Sequence, residues 1–225
     1  QLPKANSREL PTVRPVNFAS RYEGSIAWDI DILPSSAADQ SLIFRGDENP
    51  TWLYPRMTDS ALVRTKDGST EKYLFYRGLG NFVPAMSFTT SEDGNIVVHN
   101  HSKQAMPAMM LFNHEPGAFV DGAFQGPKVS TLGIGPVAAG ASQTIALTAL
   151  RPHEKWQKSV YQEMSQLLQD QGLFRKEADA MVQTWWKSYF NHPGLRAFWI
   201  VPQESLEAVL PLAVVPPPDK SVRVM

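Results

Sequence analysis

Ala85-Met86-Ser87-Phe88-Thr89-Thr90-Ser91-Glu92-Asp93-Gly94-Asn95-Ile96-Val97-Val98 is the stretch that decides the fold. Two runs carrying β-branched and aromatic residues flank an Asp-Gly pair. Asp-Gly between such runs marks a β-hairpin, because a tight turn needs positive φ and glycine adopts it without steric cost. The arrangement recurs upstream, where residues 61–65 and 73–76 flank Lys66-Asp67-Gly68-Ser69. Downstream, strand-like runs at 109–112, 118–120, 129–132 and 144–149 are separated by Gly, Pro and Asn. Six or more short strands at this turn spacing predict an antiparallel sandwich or barrel. With no cysteine there is no Cys…Trp…Cys core of the antibody type. The sandwich is therefore immunoglobulin-like only in the loose architectural sense.

At Pro152 the period changes. Trp156, Val160, Met164, Leu167 and Leu168 recur at helical spacing. Pro152 suits a first helical turn, Glu154 complements the helix dipole, and Gly172 is placed to end the helix. A second set, Phe174, Ala178, Met181, Val182, Trp185 and Tyr189, is stopped by Asn191-His192-Pro193-Gly194. The short link predicts an antiparallel helical hairpin. Each helix has one apolar stripe, and the neighbouring sheet is the surface to cover it. Strand patterns then return at 195–201, 212–215 and 222–225. One or two helical turns fit 205–210, and Pro216-Pro217-Pro218 is a stiff extended segment.

The first 50 residues are rich in Pro, Ser and Asp, with strand-like patches at 26–32 and 42–44. In the first patch Ile26, Trp28, Ile30 and Ile32 alternate with Ala27, Asp29 and Asp31, the mark of a half-buried strand. The expected organisation is an extended, strand-poor segment over 1–50 and an antiparallel sandwich over 51–150. A helical hairpin with C-terminal strands over 151–225 packs on that sandwich as one unit. The class is α+β, mainly β.

The 225 residues are 43% hydrophobic and 19% charged, so there is material for a real core. Lys+Arg (21) nearly balances Asp+Glu (22), and such a chain lacks the basic footprint of a nucleic-acid binder. The absence of cysteine excludes disulfides, thiolate metal sites and a cysteine nucleophile within these residues. Residues 129–150 carry no charge and are long enough to cross a bilayer. Their three glycines and one proline, Gly133, Gly135, Gly140 and Pro136, read instead as strand, turn and strand.

Chemistry-bearing patterns are sparse. His99-Asn100-His101 sits on one strand, where alternate residues share a face, so it offers two ligands. His114 and Glu115, with Asp121, complete a metal or acid–base set only if neighbouring strands bring them to His99 and His101. No spacing matches a recognised zinc motif, a G-x-S-x-G elbow or a phosphate loop, and no cofactor is expected. Arg56 and Asp59 precede Arg77, which lies among aromatics. Such a group binds a carboxylate or a sugar, or serves as a buried structural pair, and the structural role is favoured. Trp156 and Trp185 fall on the helix stripes and read as core. If the helices touch a partner, Trp186, Phe190 and Lys187 are the place to look, although core or sheet contact is the favoured reading for Trp186.

Tyr73-Leu74-Phe75-Tyr76-Arg77-Gly78-Leu79-Gly80-Asn81-Phe82 resembles a phrase in a family of uncharacterised bacterial proteins. So do Ala180-Met181-Val182-Gln183-Thr184-Trp185, and Leu210-Pro211-Leu212 followed by Pro216, Pro218 and Val222-Arg223-Val224. The resemblance runs from about Trp52 onward. It implies that the chain is the C-terminal portion of a longer protein, and it carries no catalytic residue, ligand or cofactor across. The leading expectation is a non-catalytic interaction or structural module of a larger envelope-associated assembly. Its partner is a protein or an upstream domain of the same polypeptide, in the periplasm or outside the cell rather than the cytoplasm. The alternatives are a carbohydrate-binding domain using surface aromatics such as Trp186 and Trp28, and a metal-dependent hydrolase using His101, His114, Glu115 and Asp121.

Overall fold

The Asp93-Gly94 turn forms as its sequence requires. Gly94 has φ 77°, and its N–H donates to the Ser91 carbonyl at 3.0 Å. The strands it joins lie in a computed structural model that describes residues 25–34, 53–76, 82–152 and 156–225. Among these, the chain is a mixed α+β fold with four helices, and every strand pair is antiparallel. No sheet closes into a barrel. A small sheet holds β1 (Ile30–Leu33), β2 (Leu62–Thr65) and β3 (Thr70–Glu71), in that order, beside the short helix α1 (Leu53–Arg56). A second sheet has β4 (Met86–Thr90), β5 (Ile96–Asn100) and β10 (Ser142–Ile145), with β5 central. A third has the order β11-β9-β6-β12: β6 (Met109–Glu115), β9 (Lys128–Ile134), β11 (Arg151–Pro152) and β12 (Gly194–Trp199). Between β6 and β9 a two-stranded arm, β7 (Ala118–Val120) and β8 (Ala123–Gln125), carries the exposed Phe119 and Phe124.

Strand β6, Met-Met-Leu-Phe-Asn-His-Glu, organises the middle of the fold. Met109, Met110, Leu111 and Phe112 are all buried. Met109 and Leu111 pack with Met86, Ile96, Val98 and Ile145 of the three-stranded sheet. Met110 and Phe112 pack with Trp156, Val160, Met164 and Leu168 of α2 (Trp156–Asp170) and with Ala178 and Val182 of α3 (Arg175–Tyr189). Successive side chains of a strand leave opposite faces, so β6 is enclosed between a sheet and a pair of helices. The four-stranded sheet is thus the middle of three layers. The helices leave it at β11, on one edge, and return to it at β12, on the other. The face they cross is the one they cover.

The helical hairpin turns at Gly172, whose φ of 102° is left-handed. Its N–H donates to the Gln169 carbonyl at 2.9 Å, closing the end of α2. The two helices are also tied by polar contacts: Ser165 Oγ donates to Asp179 at 2.7 Å, and Gln183 Nε2 donates to the Tyr161 hydroxyl at 2.8 Å. A helix pair of this size is stabilised mainly by burial of its apolar stripe.

One polar side chain lies deep at the end of the central strand of the β10-β5-β4 sheet. Asn100 is buried at the end of β5, and its Nδ2 reaches the carbonyls of Gln104, Val137 and Ala138 at 2.8–3.1 Å. Its Oδ1 accepts from Ser102 N–H and Ser102 Oγ at 3.0 and 2.8 Å. The crossing from the three-stranded to the four-stranded sheet is thereby tied to the crossing back. Met106 and Val137 exchange both backbone hydrogen bonds beside it.

Several expectations are corrected. Pro152 does not enter a helix: it ends β11 against Lys128, and the helix begins at Trp156. The alternation of residues 26–32 does not bury one face, since Ile32 is 74% exposed. Residues 73–76 form no strand, and the hairpin partner is only Thr70–Glu71. Residues 211–225 form no strand either. Pro211 and Pro216–Pro218 supply no backbone donors for a ladder. The patch at 42–44 lies outside the described residues. The arm strand β8 and the two-residue β11 had no counterpart in the sequence reading.

Phe112→Ala is expected to lower stability by about 3–5 kcal/mol in denaturant unfolding, the usual cost of emptying a buried aromatic site; a loss under about 1 kcal/mol would contradict the three-layer core. Asn100→Asp should cost more than Asn100→Ser, because a carboxylate would face three carbonyl oxygens. At the Asp67-Gly68 turn, hydrogen bonds from the Thr65 hydroxyl, then from Ser69, hold the Asp67 carboxyl below its ordinary value. Its contribution is present above the unfolded carboxylate pKa and fades as pH falls through the lower folded one. Asp67→Asn should remove that part of the acid-side slope of stability against pH.

Candidate functional site

β12, Gly-Leu-Arg-Ala-Phe-Trp, is the last strand of its sheet and pairs on one side only, with β6. Ile200 N–H donates to the Ala108 carbonyl on the β6 side, whereas Val201 N–H donates to the Met225 carbonyl on the other side at 2.8 Å. Backbone groups alternate in direction along an antiparallel strand. Leu195, Ala197 and Trp199 therefore present their N–H and C=O groups on the side of Val201, away from β6. Among the described residues no backbone group pairs with them there.

An apolar groove of about 710 Å³ opens along this edge. One wall is helical: Met164 and Leu167 from α2, and Met181, Trp185 and Tyr189 from α3. The opposite wall is residues 82–85, the approach to β4. β12 forms the floor, with α4 (Gln203–Val209) closing one end. The groove lining includes no charged side chain. Trp185 and Tyr189 are 38% and 44% exposed, and their rings stack at 5.7 Å with an interplanar angle of 17°. At the floor, Phe198 packs toward the helices and Trp199 toward Phe88 at 5.6 Å, so each face of β12 keeps an aromatic ring at the open side. Volume, apolar lining and few polar groups are the properties of a binding groove.

The helix aromatics do not divide as the stripes imply. Phe190 is 2% exposed and Trp186 stacks on it at 4.7 Å and on Trp156 at 5.9 Å, inside the core between helices and sheet. It is Trp185 that faces the groove. The core-facing row is Ala178, Val182, Trp186 and Phe190, each four residues on, with Trp186 only partly buried. The row through Trp185 and Tyr189 lies one position to its side. Apolar residues cover a wide arc of α3, and spacing by itself does not say which row faces the sheet. Lys187 is exposed.

The histidines are not brought together. His99 and His101 lie on the exposed outer face of the three-stranded sheet, their rings 6.1 Å apart. His99 Nδ1 pairs with Ser142 Oγ at 2.8 Å and its Nε2 with Thr89 at 3.2 Å. His101 Nε2 pairs with Ser87 at 2.6 Å. These contacts make a cross-strand polar row on β4, β5 and β10. His114 is on another sheet, buried under the helices against Trp156 at 4.8 Å and Phe112 at 6.0 Å. Glu115 faces Lys128 across the ladder, and Asp121 turns the exposed arm at φ 53°. Among the described residues no three His, Asp or Glu side chains are placed to hold one metal.

Arg56 and Asp59 also separate. The buried Arg56 guanidinium makes a forked pair with Glu71 of β3, Nε at 3.0 and 2.9 Å and an amino nitrogen at 2.6 Å. Asp59 pairs with Lys176 of α3. Arg77 lies outside the described residues. Trp28 rests against Tyr76 at 5.8 Å. The groove itself was not read from the sequence. The apolar run 195–201 was visible there, but its position at a sheet edge was not.

Comparison with known proteins finds no matching family model, no matching curated protein and no matching solved structure.

The two histidine environments make a direct contrast. His114→Ala should destabilise by about 2 kcal/mol or more, because it empties a buried aromatic contact, while His99→Ala should stay within about 1 kcal/mol. Equal effects in thermal or denaturant unfolding would refute this placement.

Proposed function

We propose that this chain is a non-catalytic interaction module of a larger bacterial envelope-associated assembly, and that it holds a protein partner in the groove beside β12. The two-sheet part is read as an immunoglobulin-like sandwich to which the helical hairpin is fused. The observation that carries the reading is the uncharged, aromatic-walled groove lying on an unpaired strand edge. Contiguous exposed apolar surface of this kind is uncommon unless something covers it. Its chemistry favours an apolar peptide surface over a sugar, because a sugar site needs several convergent polar groups beside its stacking ring. Here Ser205 is the one hydroxyl-bearing side chain of the lining besides the Tyr189 phenol. No helix among the described residues is long and apolar enough to cross a membrane.

The test is selection of displayed peptides on the purified chain, followed by counter-screening on Met181→Asp, which places a charge on the helical wall. Clones that bind the wild-type chain should lose at least about tenfold in affinity, roughly 1.4 kcal/mol. They should bind Phe119→Ser, altered on the distant arm, as well as the wild type. Clones indifferent to Met181→Asp would refute the groove as the partner site.

A further inference from the structure

The groove has a floor that is a strand, and this says what form its occupant takes. We propose that the occupant is an extended segment of another polypeptide that adds to β12 as a fifth strand of the β11-β9-β6-β12 sheet, with apolar side chains on both of its faces. The inference rests on the groove being the partner site and specifies the partner's conformation and sequence chemistry.

Three observations point the same way. The first is the row of backbone groups at Leu195, Ala197 and Trp199, directed into the open side with no described partner. A helix laid in the groove would leave them unpaired, whereas a strand satisfies them. The second is at Val201, the next residue of the same row. Its N–H already donates to a main-chain carbonyl, that of Met225, at 2.8 Å. The edge therefore accepts main chain at ladder distance. The third is the pair of walls. An added strand sends alternate side chains to opposite faces. One set meets Met181, Trp185, Tyr189 and Phe198. The other meets Val83, Ala85 and Trp199. Both sets are apolar, so the partner strand cannot show the usual apolar–polar alternation. It should read as a near-continuous run of Val, Ile, Leu or Phe, as β6 does for the same reason. The free edge from Leu195 to Trp199, before the Val201–Met225 bond, takes roughly five residues at about 3.3 Å each. An uncharged lining favours an uncharged segment.

The experiment uses the whole chain, isotope-labelled, with a seven-residue Val/Ile/Leu peptide carrying terminal lysines for solubility. A second peptide of the same composition has a central proline. The first peptide should bind and slow amide hydrogen exchange at Leu195, Ala197 and Trp199 by at least about tenfold. The proline peptide should bind at least about tenfold more weakly. Ala197→Pro removes one outward-facing donor while leaving the bonds to β6, which proline at an edge position permits, and should weaken the first peptide to a similar extent. Should Ala197→Pro fail to fold, the exchange measurement on the unaltered chain still decides. Binding that is lost in Met181→Asp, with no protection of the three amides, would keep the groove and overturn the added strand. Absence of any Met181-sensitive binding would overturn both readings. Protection of the same amides that appears without peptide and grows with protein concentration would overturn a foreign strand in favour of a second copy of this chain.

Discussion

The structure depends on the enclosure of β6 on both of its faces. A strand packed on one side alternates in character and tolerates solvent on the other. Met109 to Phe112 have no such side, and Phe112 is 0% exposed. The three-stranded sheet must therefore stand on one face of β6 and the helices on the other. Each neighbouring element follows from that demand. β4, β5 and β10 turn Met86, Ile96, Val98 and Ile145 toward it, and α2 and α3 turn Trp156, Val160 and Val182 toward it. The two cores share no side chain, yet both are anchored in consecutive residues of one strand. Damage to β6 is felt in both.

The helical side of this enclosure is aromatic. Phe112, His114 and Trp156 lie in contact, Trp186 stacks on Trp156, and Phe190 bridges to Phe112 at 5.4 Å and to Phe198 of β12 at 5.0 Å. Such rings bury large areas and fix relative orientation through edge and offset contacts. The packing orients α3 so that the row one position away, Met181, Trp185 and Tyr189, overhangs the edge of β12. The groove is thus a by-product of how the core is filled. The helix that closes one face of the sheet extends past its last strand, and the overhang makes a wall.

The parts of this arrangement legible in the sequence are those set by near neighbours. Asp93-Gly94 and Asp67-Gly68 fix their turns through local φ preferences, and both turns form, the second returning as Thr70–Glu71 rather than as 73–76. Gly172 ends its helix for the same reason. The periodicity of Trp156, Val160, Met164 and Leu168 names a buried face correctly, since that stripe is narrow and unambiguous. Where the local signal is broad, the reading fails. α3 carries apolar residues over a wide arc, and Trp185, which spacing assigns to the core, lies on the groove side instead. The five polar candidates, His99, His101, His114, Glu115 and Asp121, fall on two sheets and a hairpin tip. Strand order governs that distribution, and no spacing encodes it.

Composition and local pattern by themselves determined that the chain is mainly antiparallel β with an appended helical pair, and roughly where the longer strands and the two long helices lie. They did so because turn chemistry and side-chain period act over a few residues. Tertiary structure alone decided that β6 is interior, that β12 is an edge, and that Asn100 is the buried polar hub where the chain crosses between the two sheets. These are properties of which strands become neighbours, and that is settled by the joint burial of surfaces far apart in the chain. The groove belongs wholly to this second kind: its floor, walls and end come from residues 82–85, 164–201 and 205–225, which only the fold brings together.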